Sequence, residues 1–222
     1  MKKNVIFVIV FAACIVGLVQ LHSYSQGEIA DAGRAVRVIA IKEFAELTCP
    51  LEVEERSDIP FGKLIDPESR KHIADSVDVE KFRPTKIFLA KGFDDTNAEA
   101  LKSFSNIIVN ANVINGFDAA GINAEAVDQI NQSVKESVEQ NALQTGYRLS
   151  EWTVNPISEV NGAKMLQYKY IQNGEGDKTT YMILTYLFRG DKQIEVLMSA
   201  IGKDYSKWTA INTELVQSIV IK

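Results

Sequence analysis

Histidine and cysteine are scarce in this chain, with two of each among 222 residues. His22 lies in an apolar N-terminal run, so His72 is the sole histidine beyond it. One histidine cannot build a histidine-rich zinc site. Cys14 lies in the same run and Cys49 alone lies beyond it. Once that run is removed, no intramolecular disulfide is available and the fold must stand on its core. Positive charge is also short. The formal net charge is −5, and removing Met1 to Ser25 takes away Lys2, Lys3 and no acid, giving −7. Nucleic acid and anionic membranes select basic patches, so both are disfavoured as partners. A glycine-rich phosphate loop, a serine elbow and a zinc-binding helix motif are missing as well. So are internal repeats and low-complexity segments.

The length fits one domain, or a domain plus a tail. Hydrophobic residues at 46% and charged residues at 24% are ordinary for a globular protein. Met1 to Ser25 has the plan of a secretory signal: Lys2 and Lys3, an apolar stretch from Val5 to Leu21, then Ser23-Tyr24-Ser25 with small residues where a signal peptidase cuts. Cleavage after Ser25 is expected. Two other readings stay open, a marginal membrane anchor and a lipoprotein box at Phe11-Ala12-Ala13-Cys14 that would lipidate Cys14.

The most legible stretch runs from Trp152 to Ile201. Tyr181 to Phe188 is apolar or aromatic at nearly every position, which predicts a strand covered on both sides. Ile194, Val196, Met198 and Ala200 share one face of the next strand. Its other face, with Gln193, Glu195, Leu197, Ser199 and Ile201, reads as partly buried. Leu166, Tyr168 and Tyr170 share a face of the strand before. Asn161-Gly162 is a strong hairpin signal, and connections this short predict antiparallel pairing.

Elsewhere, residues 26–44 read as an N-terminal tether, with Arg34 to Ile41 as either strand or helix end. From Ala45 the alternation Ala45, Leu47, Cys49, Leu51, Val53 predicts one strand, with Pro50 at an edge or bulge. A short helix is expected over 67–76, and strands over Thr85 to Lys91 and Ile107 to Val113. A turn of helix is expected within Asp94 to Ser103. Asn123 predicts a helix cap, Gly146 a stop, and Val127, Ile130, Val134 and Val138 an apolar stripe between them. A second helix is predicted with Asp204 as cap and Tyr205, Trp208, Ile211 and Leu215 as stripe. Ser218 to Lys222 closes the chain as a strand.

This order resembles the PsbP-like family. The resemblance rests on the amphipathic helix, Asn161-Gly162 followed by Tyr168 and Tyr170, the aromatic strand, and Asp191-Lys192 opening a strand. The Trp208 helix and Ser218-Ile219 complete it. It covers about residues 85–220, with a looser match at Leu47 to Val53. It implies an α+β fold, an α/β/α sandwich with a central antiparallel sheet and two main helices, over 45–222. Members include extrinsic photosystem II subunits, a binder of a small nuclear GTPase and bacterial envelope lipoproteins, which implies a non-enzymatic accessory or binding role. No functional residue transfers.

Several constellations are candidates for chemistry, and each has a plainer reading. Cys49 and His72 are the sole nucleophile and base, but Cys49 falls on an apolar strand face where cysteine acts as a small hydrophobe. Asp94, Asp95, Asn97 and Glu99 could offer oxygens to a hard cation. The preferred reading is a solvated turn, as it is a hairpin tip for Asn173, Glu175 and Asp177. Asp128, Glu136 and Glu139 form a solvated helix face. Tyr168, Tyr170, Tyr181, Tyr186, Phe188 and Trp208 read as core, with tyrosines at an edge able to line a binding surface. The expectation is therefore an exported, non-catalytic protein with no catalytic, cofactor-binding or metal residue. Its partner would be a protein or envelope component, with no membrane insertion after cleavage. The alternatives are a hydrolase using paired carboxylates and a small-ligand or cation binder.

Overall fold

The computed structural model describes residues 27–31, 34–65, 70, 78–102, 104–175 and 178–222. The expected signal, Cys14, His72, most of the helix expected over 67–76, and Asp177 lie outside the described residues.

Strands β1 (Gly27–Asp31), β2 (Arg34–Ile41), β3 (Ala45–Cys49) and β12 (Val220–Ile221) form a four-stranded sheet in the order β1-β2-β3-β12. The larger sheet runs β4 (Val53–Glu55), β5 (Lys86–Ala90), β6 (Asn106–Val113), β11 (Lys192–Ile201), β10 (Thr179–Arg189), β9 (Ala163–Asn173), β7 (Arg148–Val154), with β8 (Ser158–Val160) also on β9. Every pairing among the described residues is antiparallel. The α-helices bounded within the described residues are α1 (Phe61–Leu64), α2 (Ala98–Lys102), α3 (Ala124–Gln144) and α4 (Tyr205–Ser218).

Successive residues of β10 point to opposite faces, and each face has its own helix. Met182, Leu184 and Phe188 pack with Leu166, Tyr168 and the α3 residues Ile130 and Val134. Ile183 and Leu187 pack with Ile194, Val196, Met198 and the α4 residues Trp208, Ile211 and Leu215. The small sheet closes the α4 side, adding Ile39, Ile41, Leu47 and Cys49 to that core. The result is an α+β fold with helices on both faces of an antiparallel sheet. Burying each such aliphatic side chain contributes about 1.5–3 kcal/mol, which is why the doubly apolar β10 occupies an interior position in the sheet.

Local signals set the turns. Asn161 and Gly162 both take positive φ, 49° and 76°, as a two-residue hairpin of the primed type needs. Asn123 Oδ1 accepts from Ala126 N at 2.9 Å and starts α3. Its end is a Schellman cap, with Gly146 at φ 80° and Tyr147 N donating to Ala142 O at 2.7 Å.

Three expectations change. Much of the segment expected as a tether is strand, because Ile39 and Ile41 alternate inward and have a core to fill. The strand expected from Ala45 to Val53 breaks at Pro50. There the chain turns, exposes Leu51 at 51% and crosses from the small sheet to the large one. Asp204 precedes α4 without capping it through its side chain, the chain entering instead through a 3-10 turn, Gly202–Asp204.

Candidate functional site

Val134, Ser137, Val138 and Asn141 recur at helical spacing and so share one face of α3. Between that face and the sheet lies a cleft of about 230 Å³. Tyr170 and Gln172 of β9 line it, with Met182, Leu184 and Tyr186 of β10 and Glu195 and Leu197 of β11. Two features hold the helix and the floor in place. Tyr168 Oη donates to Asn131 Oδ1 of α3 at 2.8 Å. Trp152 stacks on Tyr168 and Tyr170, with centroids 5.3 and 5.5 Å apart. A β-bulge in β7 accompanies that stacking. The register with β9 shifts between Ser150 and Thr153, and Glu151 takes φ 53°.

The polar centre of the floor is a cross-strand row. Asn110, Glu195 and Tyr186 are direct neighbours across β6, β11 and β10. Asn110 Nδ2 donates to Glu195 Oε1 at 3.0 Å, and the Tyr186 hydroxyl also hydrogen-bonds the carboxyl. Glu195 is 8% exposed, and among the described residues no lysine or arginine pairs with it. Burial pushes its carboxyl up to about 6, against the pull of the Asn110 and Tyr186 hydrogen bonds. The Tyr170 hydroxyl is pushed up as well, by burial and then by the nearby Glu195 charge. The cleft thus offers one buried hydrogen-bonding carboxyl, two tyrosines and apolar walls. It can hold a molecule with a donor or cationic end and an apolar body.

The other candidates stand apart from this cleft. Cys49 is buried on the opposite face of the sheet, in the α4 core, and burial pushes its thiol up to about 11. Asp94 accepts from Thr96 N and Oγ1 at 2.9 and 2.6 Å, while Asn97 Oδ1 accepts from Glu99 N and Ala100 N. Asp95 pairs with Arg56 at 2.9 Å. These oxygens serve separate partners. Among the described residues, no grouping of three or more His, Cys, Asp or Glu side chains could hold a metal. Asn173 bonds Ser150 and Thr179 at the sheet end. Asp128 is exposed, Glu136 accepts from Gln132, and Glu139 pairs with Lys135, all on the outer side of α3. Tyr168, Phe188 and Trp208 are core, Tyr181 stacks on Tyr205 at 4.7 Å, and Tyr170 and Tyr186 face the cleft.

Sequence reading did not single out Glu195 or Asn110. The available signal was the run of polar residues at alternate positions of β6 and β11, which marks a face that α3 does not cover with a continuous apolar stripe.

No protein-family profile matches the chain, and no curated protein sequence matches it. Solved structures do. The PsbP of the cyanobacterium Synechocystis sp. PCC 6803 matches with a TM-score of 0.51 and 11% identity, over 88% of this chain and 98% of that one. LpqN of Mycobacterium tuberculosis, which is involved in cell envelope biogenesis, matches with a TM-score of 0.48 and 9% identity, over 80% and 83%. The fold is accordingly PsbP-like, as the sequence pattern implies. At such low identity the likeness describes the backbone and does not extend to the side chains of the cleft. Among the described residues, no helix is long and apolar enough to cross a membrane.

Proposed function

We propose that this chain is an exported, non-catalytic binding protein of the cell envelope. In this reading Met1 to Ser25 directs export, the chain beyond it forms the binding domain with β2 packed into its core, and the cleft under α3 holds the ligand or partner. One observation carries it: the cleft combines apolar walls with a few convergent polar groups around a single buried carboxyl, the usual make-up of a binding site. Among the described residues no second carboxylate lines the cleft, whereas glycoside hydrolysis uses a pair. The cysteine is on the far side of the sheet.

The raised Glu195 value favours one rival, a hydrolase with Glu195 as general acid. A single comparison separates the two. The full chain, a cleft-filling variant Val138→Trp and Glu195→Gln are each exposed to native envelope extract and to a panel of envelope glycans. The binding reading expects a component retained by the parent and lost by the equally folded Val138→Trp chain, with no glycan consumed. Glycan turnover that disappears in Glu195→Gln would overturn it.

A further inference from the structure

We infer that the cleft under α3 is built for a small organic cation, an amine carrying an apolar body, with its ammonium group at Glu195 and Tyr170 and Tyr186 beside it. This rests on the proposal that the cleft is the binding site. The first observation is the charge without a counter-charge. A carboxyl only 8% exposed, with no lysine or arginine paired to it among the described residues, carries a desolvation cost that its neutral partners Asn110 and Tyr186 offset only in part. Such a group is worth retaining where an arriving cation completes it. The second is the wall chemistry. Tyr170 and Tyr186 line the cleft beside Glu195, while Met182, Leu184 and Leu197 suit an apolar body. The third is selectivity. Among the described residues no basic side chain lines the cleft, so an anionic ligand would meet like charge with nothing to balance it.

Size narrows the class. A cavity of ~150 Å³ holds benzene, so one of about 230 Å³ suits a molecule of roughly nine heavy atoms by the same scaling. The probes are therefore 2-phenylethylamine, 2-phenylethanol and phenylacetate. They share one skeleton and differ in the charge of the head group. Each is titrated at neutral pH into the full chain and into Glu195→Gln by calorimetry, with a melting curve as second readout.

The expected result is that the amine binds at least ~10-fold more tightly than the alcohol and raises the melting temperature. Glu195→Gln should abolish that preference, the amine then binding no more tightly than the alcohol. If the alcohol or the acid binds as well as the amine, or if the preference survives in Glu195→Gln, the cation assignment is wrong while the cleft stands as a binding site. If none of the three binds either chain, both the assignment and the cleft as binding site fall.

Discussion

Asn110 Nδ2 donates to Glu195 Oε1 at 3.0 Å across the β6–β11 ladder, and this neutral contact stands where a buried carboxylate would ordinarily find a cation. The consequence is a pH-dependent cost. Glu195 in the folded chain titrates near 6, above the ordinary 4.5. The folded state therefore binds this proton more tightly than the unfolded chain does. Its contribution is fully present below about 4.5 and is lost as pH rises through about 6. At ~1.4 kcal/mol per pH unit the loss is about 2 kcal/mol. Glu195→Gln keeps an acceptor for Asn110 and removes the titration. Urea denaturation of parent and variant across this window should show the variant gaining up to about 2 kcal/mol relative to the parent by neutral pH. A difference between the two chains that does not change with pH would show that Glu195 is not titrating there.

Gln193 is a second polar residue on the same face of β11, with a different character. It is 0% exposed, and among the described residues neither amide atom has a hydrogen-bond partner. An unsatisfied buried polar group costs about 1–3 kcal/mol, and an apolar group of similar shape removes that cost. Gln193→Met preserves length and flexibility. The expected outcome is a gain of about 1–2 kcal/mol in unfolding free energy, measured by denaturant titration with an unchanged slope. A loss of stability would mean that the amide is satisfied in solution.

These two residues show where sequence reading succeeds and where it stops. The β9–β11 meander was legible because period-two burial, Asn161-Gly162 and the cap signals of α3 all point to one arrangement. The double covering of β10 followed from its lack of a polar face. By contrast, one face of β11 reads from sequence only as partly buried. Only the register that aligns Asn110, Glu195 and Tyr186 turns it into the floor of a cleft. The switch between sheets at Pro50 was hidden for a related reason. The alternation continues through Leu51 and Val53, and the pattern records side-chain parity without saying which sheet receives it.

Two glycines should respond to the same substitution for different reasons. At Gly162 an added Cβ meets nothing within 4 Å, but φ is +76°. Gly162→Ala should cost about 1–2 kcal/mol from backbone strain alone. At Gly174 an added Cβ would lie 2.8 Å from Tyr147 Cε1 in a buried ring. The cost there is a clash, so it should shrink when the ring is trimmed. Double-mutant cycles with Tyr147→Leu should give a coupling of about 0.5–3 kcal/mol for Gly174→Ala and near-additivity for Gly162→Ala. Equal coupling at both sites would refute the distinction.

The thiol of Cys49 provides the last test, because it bears on whether any nucleophile serves the chain. Cys49 is 5% exposed in the α4 core, with Sγ 3.5 Å from Val53 O. Burial pushes the thiol up to about 11, a rise that the nearby Arg37 charge only partly opposes. The thiolate is the reactive form. At a pH near 8 roughly one part in a thousand of such a thiol is ionised, and the packing around it blocks approach of a bulky reagent. In a chain carrying Cys14→Ser, labelling by an aromatic disulfide should therefore follow opening of the α4 core. Its rate should be slower by at least ~1000-fold than in denaturant and should rise steeply as denaturant is added below the unfolding transition. Labelling within seconds in native buffer would mean that Cys49 is reachable from solvent. It would reopen Cys49 as a nucleophile on the side of the sheet away from the cleft.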